Sequence, residues 1–204
     1  MRVAIVGGTG AFGRALAVRL VDAGDEVVVG SRDAERAHAT AAEVGARGAR
    51  NDDAVADVDV VVLAVEAHAA LDTARALRDV LQAPVLSVAS ELEFVDRAAR
   101  PGAEARSLAE RVAGAVDVPV AAGLHTLAAG KLARRRPDED ALVCADDEDA
   151  KALALELAAH VVAGRAIDAG PLASARALEA MTAVLVNVNR RYKTHAGVRI
   201  TGLA

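Results

Sequence analysis

Short apolar runs alternate with helical patterns along the first part of the chain. Val3–Val6, Val58–Val65 and Pro84–Val88 are rich in valine, as expected of parallel strands that are buried on both faces. Between the first two, Ala11–Ala23 places apolar side chains at three- to four-residue spacing, which is typical of an amphipathic helix. Repeated strands and helices with short connections predict an α/β fold with a doubly wound, mainly parallel sheet.

The alternation continues past residue 123 in a smaller region. The stretch Arg97–Glu104, which contains a proline and a glycine, predicts a mobile loop before that region begins. We expect one larger domain over residues 1–123 and a small C-terminal α/β extension over residues 124–204. The extension is predicted to contain a strand, a helix, a strand and a long final helix over Ala141–Cys144, Asp149–Val161, Arg165–Asp168 and about Pro171 to Tyr192.

The final helix carries an apolar stripe at helical spacing. Such a stripe predicts either packing in the core or a contact between subunits. It is long for a terminal helix on a small domain, and a two-fold contact would cover it, so we expect a homodimer. Its members are Leu178, Met181, Thr182, Leu185, Val188, Asn189 and Tyr192.

Three glycines follow the first predicted strand. Gly8, Gly10 and Gly13 have the spacing G-x-G-x-x-G between a strand and a helix. Gly8 is expected to permit the tight turn, Gly10 to let the backbone approach a pyrophosphate, and Gly13 to let the helix pack closely. The anion would lie at the positive end of the helix dipole. This context predicts a dinucleotide-binding sheet of the Rossmann type, the alternative being an ordinary glycine-rich turn.

The end of the second predicted strand indicates which dinucleotide is bound. NAD sites usually place an acidic side chain there, where it accepts from the ribose 2′-hydroxyl. This chain instead has Gly30, Ser31 and Arg32, followed one helical turn later by Arg36. A hydroxyl and two guanidinium groups suit a 2′-phosphate, so NADP(H) is favoured over NAD(H). The alternative is that both arginines are solvated surface residues.

Composition limits the classes of function. A net charge of −5 and an aromatic content of 1% argue against a nucleic-acid-binding protein. No run reaches the length of a membrane span, and Met1 leads directly into the first strand, so we expect a cytoplasmic protein. Cys144 is the only cysteine, and its apolar neighbours predict a buried thiol. No Cys, His and Asp cluster has metal-ligand spacing, so no metal site is predicted.

Six segments together resemble the NADPH-dependent coenzyme F420 reductases, also called F420:NADP oxidoreductases. They are GGTGAFG, VVVGSRDAERA, GLHTLAAGKLA, VCADDEDAK, DAGPLASARALEAMTAVLVNVN and HAGVRITGL, and they span nearly the whole chain. The HT pair with its following small residues and the DAGPL helix start are more specific than the glycine motif, which all Rossmann proteins share.

The resemblance implies reversible hydride transfer between a nicotinamide and an 8-hydroxy-5-deazaflavin, usually in a homodimer. It also implies a set of contacts in this chain. The pyrophosphate would be held by Thr9, Gly10, Ala11 and Phe12, and the 2′-phosphate by Ser31, Arg32 and Arg36. The nicotinamide side would be lined by Val65 and Ala129. The deazaflavin would be contacted by His125 and Leu127.

Direct hydride transfer between two ring carbons needs no nucleophile and no metal, so the protein mainly supplies stacking, orientation and exclusion of water. His125 is the candidate catalytic residue, expected to donate a hydrogen bond to a ring carbonyl; the alternative is a structural histidine that caps the following turn.

Two segments depart from the family pattern. Glu66 and Ala67 replace a proline and an aromatic residue, and Ala89–Leu92 replaces a proline-bearing segment.

Two basic clusters are candidates for the phosphodiester and glutamate tail of such a substrate. One cluster is Lys131 with Arg134–Arg136, and the other extends from Arg190 to Arg199. The alternative is that both are solvated faces. Two other functions remain possible from the sequence: an NADP-dependent imine or carbonyl reductase of the pyrroline-carboxylate type, and a non-catalytic NADP(H) sensor.

Overall fold

The computed structural model describes residues 1–203 and is built around an eight-stranded sheet, with a separate two-stranded hairpin. The strands are β1 (Arg2–Val6), β2 (Glu26–Ser31), β3 (Arg47–Arg50), β4 (Val60–Leu63), β5 (Val85–Ser87), β6 (Leu92–Val95), β7 (Ala98–Pro101), β8 (Val120–Gly123), β9 (Ala141–Ala145) and β10 (Ala166–Asp168). The helices are α1 (Ala11–Asp22), α2 (Ala34–Val44), α3 (Asn51–Ala54), α4 (Ala67–Leu77), α5 (Leu108–Ala113), α6 (Ala129–Leu132), α7 (Glu148–Val161) and α8 (Ala175–Tyr192).

The strand order of the large sheet is β10-β9-β8-β5-β4-β1-β2-β3. Every neighbouring pair is parallel except β8 with β9, which is antiparallel. This confirms the doubly wound, mainly parallel α/β fold of the Rossmann type. The chain passes from β1 to β2 on one side and later to β4 on the other. Ligands bind at such a switch point, beyond the carboxyl ends of the strands.

Strand β1 shows how the sequence covers both faces of the sheet. Val3 and Ile5 pack with Leu16 of α1 in one core cluster. Ala4 and Val6 point the other way and pack in the second cluster, which includes α4 residues. All five side chains are buried. Burying each of the larger ones contributes about 1.5–3 kcal/mol, which explains the continuous apolar run.

The stretch Arg97–Glu104 is not the loop that the sequence predicts. Its first part forms β7, which pairs antiparallel with β6 in a hairpin. Asp96 and Arg97 make the turn, with φ values of 50° and 63°. The side chain of Asn187 on α8 pins the hairpin, because it accepts from Ala99 N and donates to Ala99 O, both at 2.8 Å.

The last helix begins later than the sequence predicts, since a 3-10 turn over Leu172–Ser174 precedes α8. Most of its apolar stripe is buried or half-buried within the chain: Leu178 is 5% exposed, whereas Tyr192 is 72% exposed. Val184, outside the stripe, is 61% exposed. No helix within residues 1–203 combines the length and apolar character that a membrane span requires.

Candidate functional site

The turn between β1 and α1 is tight because glycines allow backbone to meet backbone. The left-handed residue is Gly7, with φ of 84°, rather than Gly8 as the motif suggested. A Cβ on Gly7 would lie 2.7 Å from Cγ1 of Val65, so the turn sits directly against the segment after β4. A Cβ on Gly13 would lie 2.7 Å from the carbonyl oxygen of Gly7. Gly13 therefore lets α1 approach the turn, as expected.

The N-terminus of α1 is open, whereas that of α2 is not. Gly10 is the N-cap of α1 and supplies no side-chain cap, and no acidic residue lies in the first turn. The N–H groups of Ala11 and Phe12 thus have no acceptor within the helix. Helix α2 is capped by Asp33, whose Oδ1 accepts from Glu35 N at 3.0 Å. Of these two helices, α1 is the one whose positive end is available to an external anion.

A cleft of about 440 Å³ lies beyond the carboxyl ends of β1, β2 and β4. Six of the predicted site residues line it together: Thr9, Gly10, Ser31, Arg32, Arg36 and Val65. Gly8, Ala11, Phe12 and Gly13 belong to the turn and helix start beside it. Ala129, His125 and Leu127 do not line this cleft.

Positive charge at the β2 side of the cleft is unpaired. Ser31 is buried, and its Oγ accepts from Asp33 N at 3.2 Å, which leaves the hydroxyl proton free to donate. Arg32 and Arg36 are exposed, and within residues 1–203 neither guanidinium has an ion-pair partner. Asp33 also lines the cleft, but its carboxylate is directed to the N-terminus of α2, which partly compensates its charge.

The cleft contains residues that the motif search did not single out. Asn51 follows β3, and its buried Oδ1 has no hydrogen-bond partner in the described chain. His68 and Thr73, on α4, complete the wall opposite Ser31. The rule that ligands bind at strand ends points to Asn51, but β3 is only four residues long and weakly apolar, so its end is hard to locate from sequence.

A second cavity of about 530 Å³ adjoins the cleft, because Glu66 and His68 line both. Its far wall is formed by Ser90, Glu91 and the hairpin residue Phe94, which is 64% exposed. The Glu91 carboxylate forms an ion pair with Arg111. Both segments that depart from the family pattern therefore contribute to the lining of this cavity, through Glu66 and Ala67 and through Ser90–Leu92.

His125 is buried directly after β8 and is 7% exposed. Its Nδ1 lies 3.2 Å from Oγ of Ser90, and Ser90 Oγ lies 2.8 Å from Oγ1 of Thr182. Thr182 Oγ1 in turn donates to the backbone carbonyl of His125 at 2.9 Å. Burial lowers the pKa of His125 to about 4, and the Val88 backbone opposes this only in part. The ring is therefore neutral at physiological pH.

Leu127 and Ala129, which are also assigned to the reactive end, follow His125 in the segment between β8 and α6 and at the start of α6. Leu127 is 5% exposed and packs in the main core cluster, and its N–H donates to the carbonyl of Leu124 at 3.0 Å. Ala129 is half-buried and begins α6, a short helix that packs against α1. The structure thus places Ala129 on a helix that packs against α1, but not in the lining of the cleft.

The two basic clusters meet in a third cavity of about 340 Å³. It is lined by Lys131, Arg134 and Arg135 from one cluster, by His195 from the other, and by Gly130. Lys131 is paired with Glu139, so the exposed Arg134 and Arg135 supply most of its free positive charge. The remaining members of the C-terminal cluster do not line this cavity, and Arg190 donates to the hairpin carbonyl of Arg97.

Among the described residues, 1–203, the structure contains neither a reactive thiol nor a metal-binding cluster. Burial raises the pKa of the Cys144 thiol to about 12, so it is not a thiolate nucleophile at neutral pH. Across residues 1–203, no three His, Cys, Asp or Glu side chains are grouped so that they could hold a metal ion. The site offers binding groups, small residues and one buried imidazole.

Comparison with known proteins agrees with this geometry. The family described as NADP oxidoreductase, coenzyme F420-dependent, matches residues 2–91. An F420-dependent NADP reductase from Methanothermobacter thermautotrophicus is 37% identical, covering 100% of this chain and 96% of that protein. The F420-dependent NADP reductase from Methanothermobacter marburgensis is 34% identical, covering 100% of this chain and 99% of that protein.

A crystal structure from Arthrobacter sp. FB24, provisionally assigned as an F420-dependent NADP reductase, has the same fold. It superposes with a TM-score of 0.86 at 24% identity, covering 99% of this chain and 100% of the other. The full-length sequence relatives confirm the resemblance that the motifs predicted. With the whole chain aligned at 34–37% identity, this protein belongs to the family of F420-dependent NADP reductases.

Proposed function

We propose that this protein is an oxidoreductase that transfers a hydride reversibly between NADP(H) and the deazaflavin coenzyme F420. The observation that carries the proposal is the cleft itself. It combines an open helix N-terminus with Ser31, Arg32 and Arg36, and it opens into a second cavity that can take another ring system. The two full-length relatives are named F420-dependent NADP reductases, which agrees with this proposal.

The glycine turn fits a pyrophosphate. In the proposed complex, Thr9, Gly10, Ala11 and Phe12 hold it through backbone N–H groups at the start of α1, with Gly8 and Gly13 shaping the turn. No acidic side chain in the first turn of α1 opposes the anion.

The far end of the cleft fits a 2′-phosphate. Ser31 donates its hydroxyl proton, and the unpaired Arg32 and Arg36 supply charge-assisted hydrogen bonds. The unpartnered Oδ1 of Asn51 lies on the same wall and suits a donor on the adenosine portion.

The reactive rings would meet between the two cavities. When bound, the reduced nicotinamide supplies the hydride and the deazaflavin carbon accepts it. We propose that Val65, which lines the cleft, and Ala129, at the start of α6, contact the nicotinamide, and that Leu127 and His125 contact the deazaflavin. His125 is the proposed catalytic residue, since its buried Nε2 has no partner within the described chain. The protein positions the two carbons and excludes water, which suffices for direct transfer.

The charges of the second and third cavities differ in how well they suit the anionic tail of F420. Glu66, Glu91, Glu93 and Glu104 line the second cavity, so that side disfavours phosphodiester and glutamate groups. The third cavity, with Arg134 and Arg135, follows α6 and so lies next along the chain from His125 and Leu127. We assign the tail to this basic cavity.

The proposed assembly is a cytoplasmic homodimer. Residues 1–123 form its NADP-binding part, and residues 124–204 complete the deazaflavin site and supply subunit contacts. Exposed apolar side chains on the hairpin and α8 support the contact: Phe94, Val95, Val184 and Tyr192. These surfaces are joined through Asn187, so one partner copy could cover both.

An absorbance assay with purified F420 and NADPH tests the function. We expect loss of the oxidised deazaflavin band with stoichiometric formation of NADP⁺, and transfer of deuterium from C4 of labelled NADPH to the reduced deazaflavin. Reduction of a cyclic imine or carbonyl without F420 would support the pyrroline-carboxylate alternative. NADPH binding without turnover of either substrate would support the sensor alternative.

A further inference from the structure

Ser90, Thr182 and His125 form a hydrogen-bonded ring that joins three distant parts of the chain. Ser90 follows β5, His125 follows β8, and Thr182 lies in α8. Three contacts connect them: His125 Nδ1 to Ser90 Oγ, Ser90 Oγ to Thr182 Oγ1, and Thr182 Oγ1 to the His125 carbonyl, at 3.2, 2.8 and 2.9 Å. The arrangement is closed, because it begins on the side chain of His125 and ends on its backbone.

Proton counting fixes the direction of every bond in this ring. A carbonyl oxygen only accepts, so Thr182 must donate its single hydroxyl proton to the His125 carbonyl. The contact between Ser90 and Thr182 must then use the proton of Ser90. With that proton committed, Ser90 can only accept from His125, so Nδ1 of the imidazole carries the ring proton.

The other ring nitrogen is consequently a bare acceptor. A neutral imidazole has one N–H, so Nε2 holds a lone pair when Nδ1 is protonated. Nε2 is buried and has no hydrogen-bond partner within residues 1–203. The backbone of Val88 lies close enough to favour the charged ring, but no hydrogen bond joins it to Nε2. The donor role expected from the sequence is therefore not the one that this arrangement offers.

We propose that Thr182 and Ser90 are positioning residues that hold His125 in the Nδ1–H tautomer, so that Nε2 presents an acceptor to an N–H group of the bound deazaflavin. This role rests on the proposed function, whereas the tautomer itself does not. A ligand carbonyl placed at Nε2 would meet a lone pair, and a ring N–H would gain a hydrogen bond. The hydrogen bonds among Ser90, Thr182 and His125 thus favour a reactant that has an N–H donor at the position facing Nε2.

The decisive variant is Thr182→Val, which keeps the shape of the side chain but removes its hydroxyl. Ser90 then loses its acceptor, and its proton can turn to Nδ1 of His125. The imidazole proton is expected to move to Nε2. Thr182→Ser restores the hydroxyl and should restore the Nδ1–H form. Thr40→Val is the matched control, because Thr40 is a buried helical threonine on α2, away from the ring.

The primary readout is the nitrogen NMR of the histidine side chain at neutral pH, without any coenzyme. The unmodified protein, Thr182→Ser and Thr40→Val should show protonated Nδ1 and unprotonated Nε2, and Thr182→Val should show the reverse or a mixture. Protonated Nε2 in the unmodified protein, with the Val88 carbonyl as acceptor, would overturn the proposal. So would an unchanged tautomer in folded Thr182→Val.

Kinetics test the consequence for the reactant. Losing one hydrogen bond to the deazaflavin predicts that kcat/KM for F420 falls about tenfold in Thr182→Val. The Kd of NADPH should stay unchanged, and Thr182→Ser should recover most of the loss. An unchanged kcat/KM despite a changed tautomer would overturn the positioning role. Absence of F420 reduction by the unmodified protein would refute the proposed function while leaving the NMR result valid.

Discussion

At the scale of single residues, we expect the charge at the tip of β2 to determine which nucleotide binds. Ser31 and Arg32 stand where an NAD site would place an acid, and Arg36 follows one helical turn later in α2. The one carboxylate nearby, on Asp33, is held by its own helix N-terminus. We therefore expect discrimination between NADPH and NADH to depend on the two exposed guanidinium groups rather than on packing.

Replacing Arg32 by alanine should remove most of the preference for NADPH over NADH. One charge-assisted hydrogen bond to the 2′-phosphate is worth about 1.5–3 kcal/mol, which corresponds to a loss of roughly tenfold or more in NADPH affinity. Titration calorimetry with both nucleotides measures the effect. Arg47→Ala is the control, since this exposed arginine begins β3 opposite Val28, whereas Ser31 lies opposite Arg50 at the other end of the strand. Equal affinities for the two nucleotides in the unmodified protein would contradict the assignment.

Burial of His125 also predicts a pH dependence of stability. Its folded pKa is about 4, against an unfolded value of 6.5. Between these values the unfolded state binds the proton more readily, so the free energy of unfolding falls as pH drops from about 6.5 to 4, by at most about 3 kcal/mol. The free energies of unfolding of the protein and of His125→Gln, measured by denaturant titration, should approach each other as pH falls. Parallel pH profiles for the two proteins would exclude this source.

At the scale of elements, valine runs predict β1, β4 and β5 well, because a strand covered on both faces must be apolar. The hairpin β6–β7 escapes prediction, since its turn is Asp96-Arg97 without glycine and its strands are short and largely exposed. The ring at His125 also escapes, because Ser90 is 35 residues distant and Thr182 is 57 residues distant. Periodicity reports local burial and says nothing about which distant side chains meet.

Asn187 should control the order of the hairpin. Its amide makes two hydrogen bonds to the backbone of Ala99, which is buried. Asn187→Ala leaves that N–H and carbonyl unpaired, at a cost of about 1–3 kcal/mol. Hydrogen exchange at the hairpin amides should accelerate, while exchange in β1 and β4 changes little. Arg191→Ala, an exposed change on the same helix, is the control; equal exchange in the two variants would argue against the anchor.

At the scale of the whole molecule, the exposed apolar side chains bear on dimer formation, and the separation of charge bears on where an anionic ligand binds. The hairpin and α8 carry the exposed Phe94 and Val184 on a unit held together by Asn187. The acid-lined second cavity and the basic third cavity lie on different elements. A net charge of −5 therefore conceals a local positive site.

The proposed dimer predicts twice the monomer mass by light scattering at micromolar concentration. Val184→Asp places a charge on a side chain that is 61% exposed in the single chain and should shift the protein to monomer. Val80→Asp is the control, because Val80 is 42% exposed and follows α4, so it belongs to neither α8 nor the hairpin. A monomeric mass for the unmodified protein, unchanged by NADPH, would reject the dimer.

The charge separation predicts how the tail of F420 contributes to binding. Arg134→Ala with Arg135→Ala removes the free positive charge of the third cavity, since Lys131 is already paired with Glu139. The KM for F420 should rise about tenfold or more, and added salt should weaken binding to the unmodified protein in the same direction. A deazaflavin that lacks the phosphodiester and glutamate groups should show the same KM with the unmodified protein and with the double variant, and the Kd of NADPH should also be unaffected.

Arg106→Ala with Arg47→Ala is the matched control, because it removes the same charge from two exposed positions outside this cavity. If the tailed and tail-less compounds respond equally to the double variant, the basic cavity acts only through the net charge of the protein and does not hold the tail.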